Sequence, residues 1–146
     1  LLGAVWVLPQ LPVEAAPLAA AGGEPAASEP GARAYSRAAL EGELAKGRPV
    51  FVYFTADWCI TCKVNEAGTL ASDDVRAVLD ELDFAVLEGD WTQRNAAIAQ
   101  ELARFGKAGV PLYLVYDPRR PDAPALLPEL LTPGLVIEAL RAAAAS

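Results

Sequence analysis

The sequence predicts an α/β domain in which helices flank a central mixed β-sheet. Helix-type and strand-type segments alternate along most of the chain, and the last two strands form a hairpin before a final helix. The segment 49–55 is apolar on both faces, as expected of a central strand that helices cover on two sides. At 146 residues, the chain is long enough for one domain with a core of its own.

The predicted elements follow one another without an internal repeat. A first helix over 35–46 begins at the N-cap Ser36 and ends at Gly47, which suits the left-handed position after a helix. The buried strand 49–55 comes next, and a second helix opens at Cys59. The later elements are a helix capped by Ser72, a strand over 84–87, a helix capped by Thr92, a strand over 111–116, a short strand around 125–127 and a last helix starting at Thr132 and Pro133.

The composition excludes several classes of protein. Nineteen acidic residues against twelve basic ones give a net charge of −7, which is unsuited to binding the phosphates of a nucleic acid. The chain has no histidine and only two cysteines, which are too few ligands for a Cys/His zinc site. It also lacks an imidazole that could act as a general base. We therefore expect an acidic domain with one pair of thiols and no bound metal.

The first 34 residues are predicted to lie outside this domain. Residues 1–8 are apolar up to Pro9, but they are too few to cross a bilayer. They fit the trailing end of a transmembrane helix or, alternatively, a trimmed signal peptide or a short apolar segment packed on the domain. Residues 9–34 are rich in Pro, Ala, Gly and Glu, which is typical of a semi-extended linker. We therefore expect an apolar segment plus linker over 1–34 and the domain over 35–146.

The chemistry of the chain is concentrated in the motif Cys59-x-x-Cys62. A strand leads into this motif at a helix start, where unpaired backbone N–H groups and the helix dipole stabilise a thiolate. Cys59 is therefore the predicted nucleophile, and Cys62, one turn deeper, is predicted to resolve the mixed disulfide. The motif could also be half of a zinc site, but the chain has no further Cys and no His to complete one. Two unrelated thiols in the core remain as an alternative.

Glu66 is the second candidate catalytic residue. It lies four residues after Cys62 and seven after Cys59, on the same helix face. If that face points inward, the carboxyl group lies near both sulfurs. A carboxyl group partly withdrawn from water holds a proton more readily and can exchange it with Cys62. Glu66 is thus a hypothetical proton carrier, and a solvated surface acid is the alternative.

These residues resemble the thioredoxin superfamily, and more closely the C-terminal thioredoxin-like domains of the DsbD family of membrane thiol:disulfide interchange proteins and their copper-tolerance relatives of the Scs type. The resemblance is carried by FVYFTADWCITCKVNE over 51–66, GDWT over 89–92 and GVP over 109–111, and it extends over about 35–143. It implies a thioredoxin fold whose redox group is the Cys59–Cys62 disulfide, with no further cofactor.

The resemblance also implies a substrate-binding surface. In the family the proline that matches Pro111 follows a cis peptide bond and lies against the disulfide, so that the backbone of Val110 faces an extended partner peptide. Trp58, directly before the nucleophile, is predicted to shape the same surface. The alternative for Pro111 is an ordinary trans proline that opens a strand.

Tyr53 is a departure from the family. A buried Asp commonly lies six residues before the nucleophilic cysteine, where this chain has Tyr53. A tyrosine, with a reference pKa of about 10, is a poor proton acceptor, so Glu66 would carry the proton role alone. Ile60 and Thr61 also differ from the Pro-His pair of strong oxidants, which disfavours a strongly oxidising disulfide.

The resemblance implies a protein-disulfide reductase. Such a domain accepts electrons from a membrane-embedded domain of the same polypeptide and passes them to periplasmic thiol proteins. It would be a periplasmic domain of a bacterial inner-membrane protein, and it would be monomeric when isolated. Two alternatives remain, namely a thioredoxin-like oxidase or isomerase and a non-catalytic module that binds partners in the Pro111 groove.

Overall fold

The computed structural model describes residue 27 and residues 29–145, which form alternating helices and strands. A π-helical turn over Glu66–Leu70 continues the second helix directly. The elements in chain order are β1 (Arg33–Ala34), α1 (Arg37–Ala45), β2 (Val50–Thr55), α2 (Ile60–Asn65), α3 (Asp73–Glu81), β3 (Ala85–Asp90), α4 (Ala96–Arg104), β4 (Leu112–Tyr116), β5 (Ala125–Leu126) and α5 (Pro133–Ala144).

The five strands form one mixed sheet in the order β1-β3-β2-β4-β5. β3 is parallel to both β1 and β2, whereas β4 is antiparallel to β2 and β5 is antiparallel to β4. Helices α1 and α4 contribute to the core cluster on one side of the sheet, and α3 and α5 contribute to the cluster on the other. The predicted class, a mixed sheet flanked by helices, is confirmed.

The central strand β2 is apolar or aromatic up to its last residue, Thr55, because it is covered on both faces. All of its residues are buried, and their side chains alternate between the two core clusters. Val50, Val52 and Phe54 pack with α1 and α4, whereas Phe51 and Tyr53 pack with α3 and α5. This strand anchors the candidate site, because the cysteine motif follows its last residue after a short loop.

The predicted N-caps of α1, α3 and α5 are confirmed, because at each start a side-chain oxygen accepts a hydrogen bond from the backbone N–H three residues further on. The cap predicted for α4 is wrong. Asn95 caps this helix, and its Oδ1 accepts a hydrogen bond from the Ile98 N–H at 2.9 Å. Thr92 is engaged earlier, because its Oγ1 accepts from the Asp57 N–H at 2.9 Å and its hydroxyl donates to Asp90.

The strand β1 is an element that the sequence pattern does not reveal. Its two residues pair in parallel with Leu87 and Glu88 of β3, although the composition predicts a linker over 9–34. Two residues are too few to show a strand periodicity. The predicted apolar segment 1–8 and most of the predicted linker lie outside the described residues. Within the part of the chain that the structure describes, no helix is long and apolar enough to cross a membrane.

Gly89 of β3 lies directly against the ring of Phe54. A Cβ atom at Gly89 would lie 2.3 Å from Cδ1 and 2.6 Å from Cε1 of that ring. Phe54 is fully buried in the core cluster beneath α1 and α4, so the ring cannot move without displacing its neighbours. We expect Gly89→Ala to lower the free energy of unfolding by about 3 kcal/mol, as measured by denaturant titration.

Gly42 provides the matched control for this substitution. It is an exposed residue of α1, and an added Cβ would meet no heavy atom within 4 Å. Because alanine is the better helix former, Gly42→Ala is expected to raise the stability by roughly 0.5–1 kcal/mol. A Gly89→Ala variant as stable as the wild type would show that β3 does not pack closely against the Phe54 ring.

Candidate active site

The two cysteines lie at the junction of β2 and α2. Cys59 is the N-cap of α2 and forms a disulfide with Cys62 across a Cα–Cα distance of 5.2 Å. Cys59 is 9% exposed, whereas Cys62 has no exposed surface. The Sγ of Cys59 accepts a hydrogen bond from the Cys62 backbone N–H at 3.2 Å. A partner can therefore reach only the predicted nucleophile, whose sulfur has a backbone donor that favours a thiolate after reduction.

The loop before β4 brings Val110 and Pro111 to the disulfide. The peptide bond between these residues is cis, as the resemblance implies. Val110 packs against the small buried cluster of Ala56, Cys59 and Cys62, and Pro111 is buried. Because β4 is antiparallel to β2, its start lies beside the end of β2 that leads into the cysteine motif. The sheet topology thus unites two motifs that are distant in the sequence.

Glu66 is buried at the start of the π-helical turn that continues α2. It is 4% exposed, so the face that carries it points inward, and the solvated alternative does not describe its position. Its Oε1 accepts a hydrogen bond from the Thr55 hydroxyl at 2.9 Å, and its Oε2 lies 2.9 Å from Lys63 Nζ. These two contacts hold the carboxyl group between the end of β2 and α2, the helix that carries Cys62.

Lys63 connects this buried carboxyl group to the surface. Its Nζ also lies 3.9 Å from the exposed Asp57 carboxylate. Burial alone would lower the pKa of Lys63, but the hydrogen bond and charge of Glu66, followed by the charge of Asp57, raise it overall. Lys63 therefore stays protonated beside Glu66, and it links the buried carboxyl group to the exposed Asp57.

Trp58 and Trp91 form an aromatic pair next to the disulfide. Their ring centroids are 6.0 Å apart, and Trp58 is 46% exposed, whereas Trp91 is buried. The Trp58 Nε1 donates a hydrogen bond to the Thr92 carbonyl at 3.1 Å, which orients the indole. Ile60 and Val64 of α2 are also exposed apolar side chains. The exposed side chains of Trp58, Ile60 and Val64 thus provide an apolar surface on the loop and helix that carry the cysteines.

Arg94 is a residue of this site that the sequence analysis missed. Its guanidinium carbon lies 4.4 Å from the ring centroid of Trp58 and 5.4 Å from that of Trp91. The residue belongs to the turn before α4, where neither helical nor strand periodicity identifies a functional side chain. The GDWT segment that precedes this turn was the only sequence signal near it.

Tyr53 occupies the position of the family's buried Asp without supplying a proton acceptor. Its ring is 1% exposed, and its hydroxyl has no hydrogen-bond partner among the described residues. Burial, followed by the charges of Glu88, Glu29 and Glu66, raises the pKa of Tyr53 well above its ordinary value. The hydroxyl therefore stays protonated, as the weak acidity of tyrosine led us to expect.

Removing the Tyr53 hydroxyl is expected to stabilise the domain. A buried hydroxyl without a partner loses its hydrogen bonds to water, so Tyr53→Phe should raise the free energy of unfolding by about 1 kcal/mol. Tyr113 is the matched control, because its hydroxyl accepts a hydrogen bond from Asn65 Nδ2 at 2.9 Å. Tyr113→Phe should therefore lower the stability by about 1 kcal/mol in the same urea titration. If both substitutions changed the free energy of unfolding equally, the Tyr53 hydroxyl would not be the unsatisfied one of the two.

The assembled site can exchange sulfur–sulfur bonds. It combines an accessible sulfur, a buried second sulfur, a buried carboxyl group and a loop backbone at which a peptide can lie. Among residues 27 and 29–145, no three Cys, Asp or Glu side chains are grouped to hold a metal ion. The structure thus brings together Cys59, Cys62, Val110 and Pro111, with Glu66 and Trp58 on the flanking elements.

Comparisons with known proteins agree with this geometry. A family model described as thioredoxin-like matches residues 32–118. Two similar curated proteins are named thiol:disulfide interchange protein DsbD. The one from Ralstonia nicotianae is 37% identical over 86 residues, which cover 59% of this chain and 14% of the relative. The one from Cronobacter sakazakii is 32% identical over 108 residues, which cover 70% of this chain and 18% of the relative. The chain thus spans less than a fifth of the length of these relatives.

Solved structures of the DsbD C-terminal domain from Neisseria meningitidis are also similar. The oxidised form has a TM-score of 0.59 at 28% sequence identity, and the match covers 69% of this chain and 86% of that domain. The reduced form has a TM-score of 0.60 at 27% identity, and the match covers 72% of this chain and 90% of that domain. Because the family model matches more than half of its residues, this chain belongs to the thioredoxin-like family.

Proposed function

We propose that the chain is a protein-disulfide reductase domain that transfers electrons by dithiol/disulfide exchange through Cys59 and Cys62. The observation that carries this proposal is the unequal exposure of the two cysteines, with 9% for Cys59 and none for Cys62. An accessible sulfur can attack a partner, and a buried sulfur behind it can release that partner. The names of the DsbD relatives and the two redox forms of the Neisseria meningitidis domain support the same chemistry.

The proposed reaction starts from the reduced dithiol. The Cys59 thiolate attacks one sulfur of a partner disulfide, whose S–S bond breaks, and the other partner sulfur leaves as a thiolate that takes up a proton. Cys62 then loses its proton and attacks the Sγ of Cys59, which forms the Cys59–Cys62 disulfide and releases the second partner thiolate. The partner gains two electrons and two protons, and the chain becomes oxidised.

The proposed role of Glu66 is to accept the proton of Cys62 in the second step. Water has little access to Cys62, so a carboxylate buried on the same helix is the suitable acceptor. Lys63 lies 2.9 Å from this carboxylate and is partly exposed, which provides a route toward solvent. Val110 is proposed to bind the partner backbone, with Pro111 and Trp58 shaping the surface around it.

The proposed electron donor is a membrane-embedded domain of the same polypeptide, and the proposed acceptors are periplasmic thiol proteins. The small share of the DsbD relatives that the chain covers supports a place within a larger protein. The apolar residues 1–8 and the Pro/Ala-rich segment after them support a tethered domain. In this arrangement the domain is periplasmic and belongs to a bacterial inner-membrane protein.

The reduction potential of the Cys59–Cys62 pair tests the proposed direction of transfer. Equilibrating the 146-residue chain with glutathione or dithiothreitol redox buffers gives this potential from the ratio of thiols to disulfide. A reductase should have a potential below about −200 mV, so that its dithiol donates electrons. A potential near about −120 mV, as in the strong oxidant DsbA, would contradict the proposal and indicate an oxidase. A dithiol that never reduces a test disulfide would indicate a binding module.

A further inference from the structure

Arg94 places a positive charge at the edge of the surface around the disulfide. Its guanidinium carbon lies 4.4 Å from the ring centroid of Trp58, the residue directly before Cys59. Arg94 is exposed, and the Trp91 ring, 5.4 Å from the same carbon, is buried. A partner that reaches Cys59 therefore passes close to this guanidinium group.

The backbone and the two indoles hold Arg94 in place. Its φ is 53°, in the left-handed region that residues other than glycine rarely adopt, and its N–H donates to the Trp91 carbonyl at 2.9 Å. Strained backbone of this kind is concentrated at binding and active sites. The cation–π contacts with both rings restrict the side chain, so less entropy is lost when it binds a further group.

Within the part of the chain that the structure describes, no acidic side chain neutralises the guanidinium group of Arg94. Among the described residues, no carboxylate oxygen lies within 4.0 Å of it, whereas most other arginines form such an ion pair. The acidic residues nearby are engaged elsewhere, since Asp57 lies 3.9 Å from Lys63 Nζ and Asp90 accepts hydrogen bonds from Thr92. Its N–H donors are therefore available to a partner.

We propose that Arg94 binds an Asp or Glu side chain of the partner segment that docks beside Cys59, and this inference rests on the proposed reductase function. A guanidinium group forms two parallel hydrogen bonds with a carboxylate, which gives it a preference for acidic partners. The net charge of −7 opposes such a partner at long range, but physiological salt screens this repulsion beyond about 8 Å. Local contact with Arg94 therefore determines the preference.

A panel of disulfide-linked peptides tests this specificity. The peptides are identical except that one Asp is moved through the three positions on either side of the cysteine, and matching peptides carry Asn or Lys. The rate at which the reduced 146-residue chain reduces each peptide is measured at physiological salt and in 1 M salt. We expect at least one Asp peptide to react about 5-fold faster than its Asn counterpart at physiological salt, with the difference diminished in 1 M salt.

Variants of Arg94 show whether this residue causes the faster reduction of Asp peptides. Arg94→Gln should remove the Asp preference, Arg94→Glu should transfer it to the Lys peptide, and Arg94→Lys should restore part of it. Arg120→Gln is the matched control, because Arg120 is an exposed residue of the turn after β4 and should leave the preference unchanged. The rate of reduction of each variant's disulfide by dithiothreitol shows that the site is intact.

Three results would overturn the proposal, and the last is distinguishable from the first two. Equal rates for all peptides, or an Asp preference that survives in Arg94→Glu, would show that Arg94 does not select the partner, while the reductase function would stand. Failure of the wild-type chain to reduce any peptide, including the neutral ones, would remove the proposed function and this inference with it.

Discussion

Replacing Cys62 with alanine is expected to stop the exchange at a mixed disulfide between Cys59 and its partner. The 146-residue chain has only these two cysteines, so no other thiol within it can release the partner. Turnover should be abolished, and a covalent complex that dithiothreitol separates should accumulate. Incubation with periplasmic and membrane fractions, followed by non-reducing electrophoresis and mass spectrometry, measures the complex and identifies its partners.

Cys59→Ala is the matched control for this experiment. It leaves one thiol per chain, as Cys62→Ala does, but the remaining sulfur has no exposed surface. We therefore expect no covalent complex with Cys59→Ala and none with the variant that lacks both cysteines. If Cys59→Ala trapped partners as well as Cys62→Ala does, the assignment of nucleophile and resolving cysteine would be wrong.

Replacing Glu66 with glutamine is expected to slow the second step, in which Cys62 attacks the mixed disulfide. Glutamine retains the size of the side chain and its hydrogen bonding to Thr55, but it cannot accept the proton of Cys62. Loss of a general base typically reduces a rate by at least about 10²-fold, and we expect a decrease of this order. Rapid-quench measurement of mixed-disulfide decay between pH 5 and about pH 9 gives the rate and its pH dependence.

Glu43→Gln is the control for removing a buried negative charge. Glu43 is 3% exposed, but it lies in α1 and pairs with Arg33 and Arg48, outside the site. Its replacement should lower the stability without changing the pH dependence of the exchange. If Glu66→Gln had the same pH dependence and rate as the wild type, Glu66 would have no role in proton transfer.

Much of the scaffold could be predicted because burial on two faces leaves a clear pattern in the sequence. β2 is apolar or aromatic up to Thr55 since it lies between two layers of helices, and Ser36 caps α1 through a local hydrogen bond. The position of the cysteine motif could also be predicted, because the pattern of a strand followed by a helix places Cys59 at the start of that helix. Helix caps and hydrophobic periodicity can be predicted in this way because they depend on residues that are close together in the sequence.

Other features could not be predicted because they depend on contacts between distant segments. β1 exists only through its pairing with β3, and Asn95 rather than Thr92 caps α4 because Thr92 is engaged with Asp57, 35 residues away in the sequence. The two indoles that hold Arg94 lie in different loops and meet only after folding. The sequence motif therefore identified the reacting sulfurs, whereas the charge beside them emerged from the tertiary structure.

The central claim is that Cys59 and Cys62 transfer a pair of electrons to a partner disulfide. Counting thiols on both molecules during a single turnover tests it most directly. The reduced chain, freed of reductant, is mixed with a disulfide acceptor, quenched with acid, alkylated and analysed by mass spectrometry. We predict that one Cys59–Cys62 disulfide forms for each acceptor disulfide that is reduced. An acceptor that stays oxidised, or one that is reduced while both cysteines remain thiols, would contradict the claim.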